Sequence, residues 1–116
     1  AVLHLNFTVV DASNPVRRGE IVAVYLCGLG AVSPALADGA PGSSDLATLN
    51  RTIQTPIVRV GAKIAEVLFS GAAPGLAGLY QLTIRIPDTA PLGPAIPLAI
   101  ETAEHFHDQV DIPITP

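Results

Sequence analysis

The chain has 116 residues, six basic and ten acidic, with a formal net charge of −4; this length suits one domain with its own core, and the acidic balance argues against a nucleic-acid partner, which needs a basic patch. Charged residues make up only 14% and apolar residues 49%, against about 25% charged in ordinary soluble domains, so some apolar surface is expected to be left for neighbours. Eleven prolines and ten glycines favour a many-turned β protein over a helical one, and no run approaches the roughly 18 apolar residues of a membrane helix.

The sequence opens without Met or a signal peptide, so it is expected to be a processed product or a piece of a larger exported protein. Leu3, Leu5, Phe7 and Val9 alternate with His4, Asn6 and Thr8, a period of two that predicts a first strand with His4 on its polar face. Asp11-Ala12-Ser13-Asn14-Pro15 is turn chemistry. After Gly19 the run Glu20 to Leu26 is more continuously apolar and predicts a central strand. Cys27 is the only cysteine, which excludes an internal disulfide; at a strand end it is expected to be a small buried residue. Gly28-Leu29-Gly30 lacks the third glycine and the opening helix of a dinucleotide fingerprint.

Residues Ala31 to Thr55 show no clear period and are expected to cover one end of the fold as a long loop, pinned by Leu46, Leu49 and Ile53. Asn6-Phe7-Thr8 and Asn50-Arg51-Thr52 are formal glycosylation sequons, with Asn50, in the loop, expected to be the more exposed. From Pro56 the pattern sharpens. Val58 and Val60, then Ala65, Val67 and Phe69, flank Gly61-Ala62, which suits a two-residue type II′ hairpin because glycine accepts positive φ. Ser70 to Gly78 holds three glycines and a proline and is expected to be an inter-sheet loop. Tyr80, Leu82, Ile84 and Ile86 alternate with Gln81, Thr83 and Arg85 as a strand buried on one face, ended by Pro87. A proline-rich linker leads to two more strands carrying Ile96, Leu98 and Ile100, then Val110, Ile112 and Ile114. Pro97 and Pro113 mark these two as edges or bulges. About seven strands at hairpin-like spacing predict an all-β, immunoglobulin-like sandwich of antiparallel strands.

One cluster has the composition of a metal site. His105 and His107, flanked by Glu104 and Asp108, point to one face of an extended strand, and such a pair can hold Zn²⁺ or Cu²⁺ with a third ligand from His4 or Asp111. The competing reading is a solvated hairpin tip. The sequence contains no nucleophile elbow, phosphate-binding loop or paired zinc cysteines, so no catalytic residue and no cofactor is assigned, and the expectation is a protein that is not an enzyme.

Arg18-Gly19-Glu20 leading into VYLCGLG, then SPALADGAP, then VGAKIAEVLFSGAAPGLAGLYQLTIRIP resemble a recurrent C-terminal domain of unknown function in acidobacterial (Solibacter-type) secreted proteins, itself similar to the IPT/TIG immunoglobulin-like domains. The resemblance spans about Phe7 to Ile114 and is strongest from Ala65 to Pro87. It implies an immunoglobulin-like sandwich, an extracellular or cell-surface location, and no catalytic residues. Two departures stand out: Gly75-Leu76 where the family has Gly-Phe after the proline, and a longer, charged final hairpin from Glu101 to Asp108. The expected role is a non-catalytic structural or interaction module that self-assembles, filament-like, by strand addition between copies, with Leu3 to Val9 as the candidate strand. The alternative is a monomeric ligand-binding or spacer domain.

Overall fold

The computed structural model describes residues 2–26, 32–36, 40–45, 49–76, 78–102 and 106–116, with 106–110 described by backbone alone. Ten strands are formed: β1 (Val2–His4), β2 (Val16–Arg17), β3 (Ile21–Leu26), β4 (Val32–Ser33), β5 (Arg51–Thr52), β6 (Ile57–Val60), β7 (Lys63–Ala72), β8 (Tyr80–Arg85), β9 (Gly93–Glu101) and β10 (Phe106–Thr115). They make one continuous sheet in the order β1-β3-β8-β7-β6-β9-β10-β2, with β4 and β5 attached beside β7. Among the described residues no helix is long and apolar enough to cross a membrane.

The alternating patterns do what their period requires. In β8, Leu82 and Ile84 are fully buried, with Ile86 just beyond, while Arg85 is exposed. β3 lies between β1 and β8, paired from Ile21↔Arg85 to Leu26↔Tyr80, and its more continuous burial follows from that central place. β6 and β7 are joined by Gly61-Ala62; Gly61 has φ +63°, so the hairpin turn forms as its sequence predicts. Val58, Val60, Leu98, Ile100, Ile112 and Ile114 complete one core together with Val22, Val24, Leu82 and Ile84.

The sheet closes differently from the expected sandwich. The ten-residue β7 serves two sets of neighbours. Lys63, Ile64 and Ala65 pair with β6; Glu66 to Ala72 pair with β8, with a register shift between Val67 and Phe69. An extra residue in one strand bends it and increases its twist, and this bend carries the sheet round rather than dividing it in two. Strand direction is mixed as well, because β2 runs parallel to β10 through Ile114↔Val16 and Thr115↔Arg17. The expected immunoglobulin-like, IPT/TIG-type sandwich of about seven antiparallel strands is therefore corrected to a nearly closed ten-stranded barrel. The alternation reports which face of each strand is buried, and both architectures bury the same faces.

Three local expectations are corrected too. Ser70, Gly71 and Ala72 belong to β7 and are buried. A side chain at position 71 would strike the Asn50 carbonyl and the Phe69 ring, so the glycine permits a close crossing by β5, where Arg51 pairs with Gly71. The first strand stops at His4, and Leu5, Phe7 and Val9 are exposed. Ile53 is 68% exposed and does not pin its segment; Asn50 does, donating from Nδ2 to the Pro34 carbonyl at 2.6 Å and accepting the Ser43 N–H at 2.8 Å. Pro113 does lie at a register shift in β10, between Ile112 and Ile114.

The two faces of the barrel wall predict opposite mutational responses. Ile84→Ala should cost about 3 kcal/mol, as large-to-small changes in a packed core do. Ile64→Ala, on a side chain that is 63% exposed, should stay within about 0.5 kcal/mol. Urea unfolding of both variants checks the assignment.

Candidate seam and its histidine clasp

The sheet path ends on β1 and β2, which do not pair with each other. Side chains close the gap: Val2 from β1 and Val16 from β2 are both buried in the common core. The backbone ladder stays open. β10 is ten residues long, yet β2 covers its outer side only at Ile114 and Thr115. Among the described residues, the rest of that edge has no strand beside it.

A polar clasp spans the gap between the terminal strands. His4, the last residue of β1, places Nδ1 against Glu20 Oε2 and Nε2 at 2.9 Å from the Asn14 carbonyl. The other carboxylate oxygen of Glu20 accepts the Arg17 N–H of β2 at 3.0 Å. One glutamate thus holds both ends of the sheet. With Glu20 ionised, both partners of the imidazole are acceptors, and a neutral ring has only one N–H; that arrangement is satisfied by the imidazolium. Burial alone would lower the His4 pKa, but the Asn14 carbonyl and the Glu20 hydrogen bond and charge, with a smaller share from Asp11, hold it above the ordinary value of 6.5. His4 is 11% exposed and Glu20 27%, so the pair is half-buried and better shielded than a fully exposed ion pair.

The residues between His4 and the clasp fold back as a hairpin. The His4 N–H donates to the Thr8 carbonyl at 2.8 Å and the Val10 N–H to the Val2 carbonyl at 3.0 Å. Asn6 Oδ1 accepts the Thr8 N–H and hydroxyl. Asn14 Nδ2 reaches Thr8 Oγ1 and the Val9 carbonyl. Phe7 takes φ +66°, a left-handed conformation that few non-glycine residues adopt.

Of the other residues singled out by sequence, His105 lies outside the described residues. His107 pairs with Ile100 through the backbone of β10. His4 has both ring nitrogens engaged at the seam, so it is not available as their third ligand, and Asp111 is exposed opposite Pro97. Among the described residues no group of three His, Cys, Asp or Glu side chains converges. Cys27 and Leu46 also lie outside the described residues. Asn50, expected to be exposed, is 3% exposed, whereas Asn6 is on the surface. A small notch of about 130 Å³ opens between Arg51, Thr52, Thr55 and the stretch Val67 to Ser70. Arg51 stands 5.1 Å over the Phe69 ring there, and Thr52 and Ser70 pair their hydroxyls at 2.7 Å. The clasp was not legible beforehand, because nothing in the linear sequence links positions 4, 14 and 20.

Comparison with protein-family models, with curated proteins and with solved structures finds no match. Together with the barrel topology, this corrects the acidobacterial, IPT/TIG-like resemblance: the shared strings are strand and turn patterns, and they do not carry the family.

The clasp makes stability depend on pH. A folded-state pKa above the unfolded value contributes stability that is fully present below the unfolded value, near 6.5, and is lost as pH rises through the folded one. Urea midpoints measured from pH 5.5 to 8.5 should therefore fall on the alkaline side more for the native protein than for His4→Gln. That difference cancels the titration of His105 and His107. Asn50→Ala should cost about 1–3 kcal/mol at every pH, since it removes two part-buried hydrogen bonds, from the Ser43 N–H and to the Pro34 carbonyl.

Proposed function

We propose that this domain is a non-catalytic structural and interaction module which joins further copies of itself by adding a strand at the open seam. The observation that carries this reading is the edge of β10, ten residues long and covered by β2 only at its last two described pairs. An uncovered edge offers a row of main-chain donors and acceptors, and an extended segment from another chain completes it. Leu3 to Val9 is the candidate segment, because Leu5, Phe7 and Val9 of its alternating apolar residues are exposed in the single domain. The scarcity of charge, 14% of residues, agrees with a surface meant to be covered. This reading places the module at the cell surface or beyond, in an exported protein, where such assemblies can extend; protease accessibility on intact cells tests that placement.

A second reading, a monomeric spacer or ligand-binding domain, is favoured by the two register shifts in β10. Bulges and prolines blunt edges against pairing. The notch beside Arg51 and Phe69 would then be the place for a small ligand.

Sedimentation velocity and negative-stain microscopy separate the two. The proposal expects a species that grows with concentration between about 10 µM and 1 mM, the range of weak association, ending in linear assemblies. A particle that stays at 11.9 kDa throughout would overturn it in favour of the monomer.

A further inference from the structure

We propose that the clasp of His4, Glu20 and Asn14 keeps the Val2–Val10 arm folded on its own domain, and that release of the clasp frees the arm to be the strand which a second copy accepts along β10. This rests on the strand-addition reading above and names both its moving part and its control.

The arm is written as a strand and folded as something else. Leu3, Leu5, Phe7 and Val9 alternate with His4, Asn6 and Thr8, and the stretch has no Lys, Arg, Asp or Glu. Natural edges are usually defended by charge, and this one is not. In the folded domain only Val2 to His4 are in a strand. Leu5, Phe7 and Val9 are 60%, 77% and 55% exposed, and Phe7 carries a positive φ. An extended arm against a neighbour removes that strain and buries one face of alternating apolar residues. The segment therefore gains both backbone and side-chain stabilisation elsewhere that its own hairpin does not supply.

Closure is held at the start of the arm by the pairing of Val2 to His4 with β3 and the burial of Val2. Beyond His4 it rests on the backbone bonds His4 N–H to Thr8 carbonyl, Phe7 N–H to His4 carbonyl and Val10 N–H to Val2 carbonyl, the Asn14 Nδ2 bonds to Thr8 Oγ1 and the Val9 carbonyl, and the clasp. The charges that face the imidazole are Glu20, before β3, and Asp11, in the turn that follows the arm. From the turn before β2 comes the Asn14 carbonyl, and β3 sets the uncharged Val22 opposite His4. Every polar group around the ring is an acceptor or an anion, so loss of its proton leaves a lone pair against the carboxylate or the carbonyl. The closed arm is accordingly strongest at mildly acid pH, and rising pH shifts the population towards the open arm.

The test is sedimentation velocity at 150 mM salt, pH 5.5 and 8.5, on the native chain, His4→Ala, and the double variant Leu5→Asp with Phe7→Asp. Both aspartates replace exposed side chains, so folding is retained. The native chain should associate about tenfold more tightly at pH 8.5 than at 5.5, although its growing negative charge opposes this. His4→Ala should associate equally at both, at the native chain's alkaline level, and the double variant should associate weakly at both. Hydrogen exchange should show new protection in residues 106–112 on association. If the native chain associates with no pH dependence, or His4→Ala keeps it, the clasp is wrong while self-association stands. If the double variant associates normally, the arm is not the strand. If nothing associates, the strand-addition reading and the arm's transfer both fail. The clasp is then judged on the monomer: protection factors of the Val10 amide and of the amide at position 4 must fall as pH rises in the native chain and be low throughout in His4→Ala, and any other pattern refutes it.

Discussion

The double use of β7 governs this barrel. A ten-residue strand that gave all its hydrogen bonds to one pair of neighbours would leave a flat sheet with two long edges. Here the first three residues pair with β6 and the remainder with β8. The register shift near Leu68 turns the strand between the two roles, and the residue it sets free is exposed. Everything on either side follows from that turn. β8, β3 and β1 continue one way, β6, β9, β10 and β2 the other, and both arms curve around the same core of valine, leucine and isoleucine. Gly71 lets β5 cross close over the far end of β7, where the paired Thr52 and Ser70 hydroxyls satisfy each other in a buried setting.

Curvature brings the last strands near each other but does not pair them. Val2 and Val16 seal the core with side chains, and the polar link falls to His4, Glu20 and Asn14. Apolar burial is non-directional and tolerates such a seam, whereas backbone groups need partners of fixed geometry. The result is a domain whose interior is complete and whose hydrogen-bonded wall is not. The proposed self-association and its proposed control are both located at this mismatch.

Much of the strand content was legible. β3, β8, β9 and the β6–β7 hairpin stand where alternation and Gly61 put them, because half-buried strands must alternate and that turn needs a positive φ. Closure was not legible: a period of two tells inside from outside and is silent on whether a sheet stops or curls. The first strand misled for the same reason, since Leu3 to Val9 carry the pattern of a buried strand and only tertiary contacts show that it breaks after His4. Ser70, Gly71 and Ala72 read as loop because small residues suit turns, yet they suit equally a strand crossed closely by another. Asn50 looked exposed by composition and is a buried anchor. His4 joined a metal hypothesis on residue type alone, while its partners come from positions 14 and 20.

The central claim is that a single curled sheet, turned at β7, leaves a seam between β1 and β2. Cross-strand NOEs in the isotope-labelled protein test it most directly. The account predicts backbone contacts from Lys63–Ala65 to β6 and from Glu66–Ala72 to β8 within one strand. It also predicts a parallel pattern joining Val16 to Ile114, and none joining β1 to β2. Two separate antiparallel sheets, with β7 paired to only one of them and a first strand running unbroken from Leu3 to Val9, would contradict it.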